Sequence, residues 1–290
     1  MQSIVSTLSR FLLLLLCLSL PLAGWTKTEV QVVSSFTIPN EWVGRVTAHK
    51  ISHLPLIPSG GELHGYSISA ADSRTLTKAK LIVGINPELE PWLAKWAQAN
   101  RREKDLLWLY PAPLPSGSHL WTVPAEVKRM ITRLKTGLES AGVETSEDAL
   151  VQILREIEST EKDLQDIFAR HQSHERQFVT QHPGLESFAE AFGLKVAGSI
   201  LQCSSAESAD PSAKHYANLL KAIRTQKVRV ILCDEGQNPA AAQQLAKDAG
   251  IKAPTALSFE YLRKPGTPGD TWATMMRLNA RKLADALQQP

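Results

Sequence analysis

Neutral imidazole is a common ligand for borderline transition ions, and three of the eight histidines in this chain occupy related positions. His64, in "GGELHGYSISAAD", follows a strand-like run and lies between glycines. His119, in "PSGSHLWTVP", follows a second such run, and His182, in "FVTQHPGLESFAEAFGL", ends a third. Parallel α/β sheets hold ligands at the carboxyl ends of their strands, where all three fall. Three imidazoles around one ion make a zinc-type donor set, provided the fold brings the three segments together. Taken singly, each reads more readily as a histidine satisfied at a strand end; it is the recurrence at three strand ends that points to a metal.

The other five read as background. His49 and His53 fall in a strand pattern, and His215 on the outer side of a helix. His171 and His174, three residues apart on a helical pattern, read as a solvated face beside Glu175 and Arg176.

The elements that must position the three histidines alternate in type. Strand patterns are read at 29–36, 46–57, 80–85 and 105–110, with helices at 69–79 and 87–102. The run "KLIVGI" is continuously apolar, as a strand buried on both faces of a parallel sheet must be. An amphipathic helix follows at 124–142, with Val127, Met130, Ile131 and Leu134 on one side and Gly142 as its stop. Residues 146–177 then form the longest helical pattern, without glycine or proline, Ser146 at its start and acidic residues next to it. If continuous it reaches roughly 48 Å, more than a lobe's width. Strands at 178–182, 195–203, 228–234 and 254–262 alternate with helices at 185–193, 212–227 and 239–250, and a helix at 272–289 closes the chain. The fold class expected is therefore α/β: two parallel-sheet lobes, 25–145 and 178–290, joined by a rigid backbone helix at 146–177, with the histidines facing a cleft between lobes.

The first 24 residues stand apart. Arg10, the apolar run Phe11 to Leu20 and "LPLAG" have the layout of a secretory signal peptide. The residue after Gly24 is Trp25 and not cysteine, which argues against lipid attachment there, and no later segment is apolar enough to span a bilayer. The expectation is an exported, periplasmic protein, soluble and monomeric once the leader is removed. With 32 basic against 29 acidic residues, the chain lacks the concentrated positive face that nucleic-acid binding needs. Cys203 and Cys233 each end a strand pattern; pairing in an oxidising compartment and two separate buried thiols remain equally open.

Nearly the whole mature chain resembles the solute-binding proteins of zinc and manganese ABC importers, the binding-protein family with a helical backbone between lobes. "VVSSFTIPNEWV" is similar to the family's opening strand. "LIPSGGELHGYSISAADSRTLTKAKLIVGINPELEPWL" is similar to its first-histidine segment, and "SHLWTVP" to its Asp-Pro-His-x-Trp-Leu-Asp-Pro element. "FVTQHPGLESFAEAFGLKVAGSI" resembles its third-ligand segment and "TWATMMRLNARKLADAL" its closing helix. Order and spacing together, more than any one motif, carry the resemblance.

The resemblance implies metal-ligand roles for His64, His119 and His182, zinc ahead of manganese as the ion, and an ABC permease as the partner. The chain departs from the family in three places. Ser118 and Val123 stand where the second-histidine element has aspartates, and the His-rich loop of many zinc members is missing. The last-strand aspartate appears as Ser258 or Phe259; strand alternation turns the nearby Glu260 to the same side as Ser258, leaving the fourth position to water, Glu260 or no ligand. These departures keep a second possibility in view, a same-fold metallochaperone, accessory factor or adhesin-like protein that does not serve import. A hydrolytic zinc enzyme is the third, but the chain has no HExxH or comparable carboxylate-bearing motif to supply a base.

Overall fold

The structure, a computed structural model, describes residues 31–115, 119–171, 176–202 and 211–288. The signal-peptide segment, Ser118, His174 and Cys203 lie outside the described residues. Cys233 is buried at the end of its strand.

Two four-stranded sheets organise the described residues, and every pairing in both is parallel. The first contains β1 (Val32–Ser34), β2 (His53–Pro55), β3 (Leu81–Gly84) and β4 (Leu106–Trp108), in the order β2-β1-β3-β4. The second contains β5 (Gln177–Thr180), β6 (Lys195–Ser199), β7 (Val230–Asp234) and β8 (Thr255–Leu257), in the matching order β6-β5-β7-β8. In each sheet the chain steps to one side of its first strand and then crosses to the other. That reversal leaves a crevice above the carboxyl ends of β1 and β3, and of β5 and β7, the place where open parallel sheets take ligands. The lobed α/β architecture expected from the alternating pattern is the one found.

Helices α1 (Thr37–Val46), α2 (Ala70–Lys78), α3 (Pro91–Ala99) and α4 (Pro124–Ser140) belong with the first sheet. The α1 segment was expected to continue as extended chain. Its buried Ile38, Trp42, Val43 and Val46 recur at helical spacing, and Pro39, in the first turn, deprives the helix of no internal hydrogen bond. Because α1 takes these residues, the strand expected at 46–57 shrinks to three, after a turn with Ala48 and His49 at φ +51° and +56°.

The backbone helix, α5, runs Glu147–Phe168, about 33 Å, and stops well short of residue 177. Ser146 caps it by accepting from the Ala149 N–H, as its sequence suggested. Ile153, Ile157, Thr160, Leu164 and Phe168 form its buried stripe. Past Phe168 no large apolar residue follows until Phe178, so further turns would add nothing to the apolar stripe. His171, just beyond, is 5% exposed, which corrects the solvated placement expected for it. One buried apolar cluster includes Val83 of the first sheet, Ile157 of α5 and Val230 of the second sheet.

The second half carries α6 (Glu186–Ala191), α7 (Ala213–Gln226), α8 (Ala240–Ala249) and α9 (Trp272–Leu287). Arg45 of α1 is ion-paired to Glu156 of α5, and Arg277 Nε of α9 lies 2.7 Å from Asp163 Oδ2. The backbone helix is thus tied to α1 on one side and to the closing helix on the other.

Candidate metal centre

His64 is carried by the loop after β2. Gly60, at φ +79°, and the Gly61 N–H bond to the Pro58 carbonyl turn the chain back. The Trp92 indole donates to the Leu63 carbonyl at 3.2 Å and holds the loop against α3.

His119 precedes a single 3-10 turn, Leu120–Thr122, and the Thr122 hydroxyl donates to its carbonyl at 2.7 Å. Its ring is 1% exposed and stacks on Trp121, with centroids 4.5 Å apart and planes 16° from parallel. On the other side the backbone of Gly184, at φ +157°, comes so close that a Cβ there would lie 2.7–3.0 Å from ring atoms of His119. The His119 backbone N–H donates to the Gly184 carbonyl at 2.8 Å, linking the two halves of the chain beside the site.

His182 lies two residues past β5. Its Nδ1 is 2.8 Å from the Pro183 carbonyl, an arrangement that places the proton on Nδ1 and leaves Nε2 as the inward atom.

Glu260 comes from the segment after β8. That strand ends at Leu257, so the alternation used to set Glu260 aside does not extend to it. Asn279 of α9 clamps Ser258 twice, accepting from its N–H at 3.2 Å and donating to its carbonyl at 2.8 Å. The Trp121 indole donates to the Phe259 carbonyl at 2.6 Å, and the Leu262 N–H to the Thr37 hydroxyl at 2.8 Å. Held at both ends, the segment turns the Glu260 carboxylate inward. Ser258, a candidate for the fourth position, instead spends its hydroxyl on the Tyr261 carbonyl, and Phe259 packs on Phe188.

The four side chains converge. His64 Nε2 lies 2.9 Å from Glu260 Oε1 and 3.2 Å from His119 Nε2. Glu260 Oε1 is 3.0 Å from His182 Nε2 and 3.7 Å from His119 Nε2. All four donor atoms fall within 4.8 Å of one another. A tetrahedral zinc with bonds of about 2.0–2.1 Å requires donors about 3.3 Å apart along each edge. The four separations above bracket that length, and the remaining two, both between His182 and another imidazole, stay within 4.8 Å, so the four atoms can reach one ion with small side-chain movements.

His182 Nε2 is buried and has no hydrogen bond, although Glu260 Oε1 and Asp234 Oδ2 both lie 3.0 Å away. Neither oxygen has hydrogen-bonding geometry toward it. A buried nitrogen that faces two carboxylate oxygens and bonds neither is suited to a shared cation between them.

Electrostatics separates the rings. Burial and the neighbouring imidazoles drive His119 well below the ordinary histidine range, against the pull of Glu260, so it is neutral. Burial also opposes charge on His182, but the Asp234 and Glu260 carboxylates outweigh it and raise the pKa to about 11. Burial works against ionised Glu260 as well, and His182 and His64 keep it well below the usual carboxylate range.

Sequence reasoning named the three histidines, kept Glu260 as one of three options for the fourth position, and did not consider Asp234. An outer hydrogen bond fixes a ligand imidazole's tautomer, and the sequence offers Tyr66, Glu235 or backbone carbonyls for it; His182 uses the Pro183 carbonyl, while Tyr66 and Glu235 are engaged elsewhere. The Tyr66 hydroxyl donates to Asp72 at 2.9 Å, and Glu235 pairs with Arg263. His53 bonds Asn40 at 3.0 Å; His215, expected on the outer face of its helix, is half-buried with Nε2 2.9 Å from the Ser199 carbonyl. Neither belongs to the cluster, nor do His49 and His171.

The chain is similar over most of its length to known proteins. The zinc-binding lipoprotein AdcA of Streptococcus pneumoniae is 24% identical over 288 residues, covering 90% of this chain and 56% of its own length. The chain therefore spans about half of such relatives. An iron ABC transporter substrate-binding lipoprotein, MtsA of Streptococcus pyogenes, is 20% identical, with 99% of this chain and 98% of its own covered. Among solved structures, the periplasmic zinc binding protein TroA of Treponema pallidum superposes with a TM-score of 0.78 at 17% identity, over 90% of this chain and all of its own. A manganese-bound periplasmic metal binding protein of Candidatus Liberibacter asiaticus gives 0.77 at 20% identity, over 89% of this chain and 99% of its own. The family described as zinc-uptake complex component A, periplasmic, matches residues 32–286, and with the match extending from the first strand to the last helix the chain belongs to that family.

Proposed function

We propose that this chain is an exported solute-binding protein that captures a divalent transition ion, zinc before others, and hands it to the permease of an ABC importer. His64, His119 and His182 bind through Nε2, and Glu260 supplies the fourth ligand. One observation carries this reading: four buried donors from four separate segments gather within 4.8 Å of one another, close enough to share one ion. Three nitrogens and one carboxylate oxygen suit zinc better than manganese, which favours oxygen-rich, higher coordination. With Glu260 as ligand the set is closed and leaves no position for an activated water, which suits carriage and not catalysis. Family membership supports the import role, and the zinc-binding relatives support the choice of ion. Among the described residues no helix is long and apolar enough to cross a membrane, in keeping with a carrier that docks on its permease from outside.

Titrating the metal-free protein with zinc in competition with a chromophoric chelator should show one equivalent bound tightly. X-ray absorption on the loaded protein should then show a four-coordinate shell with imidazole scattering. Binding no tighter than that of free histidine, or a shell without imidazole, would dismiss the proposal.

Gly184 gives an independent check. Alanine there meets a backbone at φ +157° and pushes on the His119 ring, because the added carbon would lie within 3.0 Å of it. Displacing a ligand through its support typically costs 10–100-fold in metal affinity, and a loss of about that size is expected for Gly184→Ala. The same titration reads it, with the metal-free melting temperature showing how much of the change is general.

A further inference from the structure

Beside the tetrad lies a cavity of about 290 Å³, walled by Gly60–Glu62 of the first lobe and, from the second, by the turn after β7 and the segment carrying Glu260. Asp234 sits in its wall. As the last residue of β7, paired in register with Leu257, it has a fixed backbone, and the Gln181 side chain accepts from its N–H at 3.3 Å. Gly236, at φ +91°, turns the following chain away. The Asp234 side chain is 20% exposed, against 5–7% for His64, His182 and Glu260, so it alone among these groups faces solvent and cluster together. Its Oδ2 is 3.0 Å from the unbonded Nε2 of His182. Glu62 and Glu235 line the same cavity, but Glu235 is committed to Arg263.

From this placement, and resting on the metal-carriage reading above, we propose that Asp234 is an exchange ligand for the divalent ion. A hydrated ion entering the cavity meets the Asp234 carboxylate first. One Asp234–metal bond forms as one water leaves, and the imidazoles then displace the remaining waters in turn. The last step breaks the Asp234 bond as the tetrad closes. Release runs backwards: Asp234 attaches to the bound ion while His182 detaches, so the ion never has to shed two protein ligands with nothing in their place. The tetrad holds the ion, and Asp234 gives it a way in and out.

The test uses the full-length zinc-loaded protein and a chromophoric chelator in large excess, at fixed pH, in a stopped-flow instrument. Asp234→Asn is expected to slow zinc release at least fivefold while still binding one equivalent, and Glu235→Gln, in the same cavity, to release at the wild-type rate. Asp234→Ser, read in the same way, guards against a folding effect peculiar to asparagine. Release within twofold of wild type in both Asp234 variants would overturn the proposal. Faster release would overturn it too, by making Asp234 a permanent holder of the ion. If the wild-type protein takes up no zinc equivalent, the carriage reading falls with it; if it does and only the rates are unmoved, the exchange role alone fails.

Discussion

His119→Ala is expected to weaken zinc binding by about a hundredfold to a thousandfold while leaving the protein folded. Zinc in small protein sites is held by about 10–16 kcal/mol at neutral pH, so an equal quarter share is about 2.5–4 kcal/mol, and each 1.4 kcal/mol is a factor of ten. His119 should sit at the upper end of that range. Its ring is already neutral, so binding displaces no proton from it, and it is fixed between Trp121 and the Gly184 backbone. A ligand held in place before the ion arrives gives up little conformational entropy on binding. His64, at the tip of a glycine-flanked loop, is less well supported, and alanine there should cost less than alanine at 119. Competition titration ranks the two, and circular dichroism of the metal-free variants checks the fold. Equal, small losses at both positions would mean that the imidazoles do not hold the ion.

That His119 is the best-supported ring was not legible beforehand, although its candidacy was. The pattern of strands and helices followed from local periodicity, because strands buried on both faces need continuous apolar runs such as "KLIVGI". Helix α1 was hidden by Pro39 and by the β-branched run just before it, although its buried residues recur at helical spacing. The backbone helix was overextended because nothing in 169–177 forbids a helix locally. What ends it is the loss of an apolar face to bury, a tertiary cause to which propensity is blind.

The site divides in the same way. The histidines follow strands in sequence and could be read from the rule that places ligands at strand ends. Glu260 could not, because its direction depends on Asn279, Trp121 and Thr37, each from a distant part of the chain. Asp234 is the last residue of a strand and one step from an obvious carboxylate, Glu235. Both line the same cavity, and what separates them is the Arg263 guanidinium that engages Glu235, a partner 28 residues away that local sequence does not show.

The second large effect concerns pH. With unperturbed imidazoles, zinc affinity would fall only as pH drops through about 6.5 and would be flat above. The Asp234 and Glu260 carboxylates change this by outweighing burial at His182 and raising its pKa to about 11, so the metal-free protein carries a proton there throughout the neutral range. Zinc binds the same nitrogen and must displace that proton. Affinity is therefore expected to rise about tenfold per pH unit between 6.5 and 8.5, with about one proton released per ion. Calorimetry in buffers of different ionisation enthalpy counts the proton directly. The stability of the metal-free fold should move the opposite way. A histidine whose pKa is raised on folding stabilises fully below its unfolded value of about 6.5, and this contribution fades as pH climbs toward 11. The melting temperature of the metal-free protein should decline from pH 6.5 to 9, and that of the zinc-loaded protein should decline less, since the ion has already replaced the proton. Affinity that levels off above pH 7 with no proton released would place a neutral His182 in the resting site and remove the competition between proton and metal. If both are seen, the proton on His182 acts as a stand-in cation beside Asp234 and Glu260 until zinc arrives.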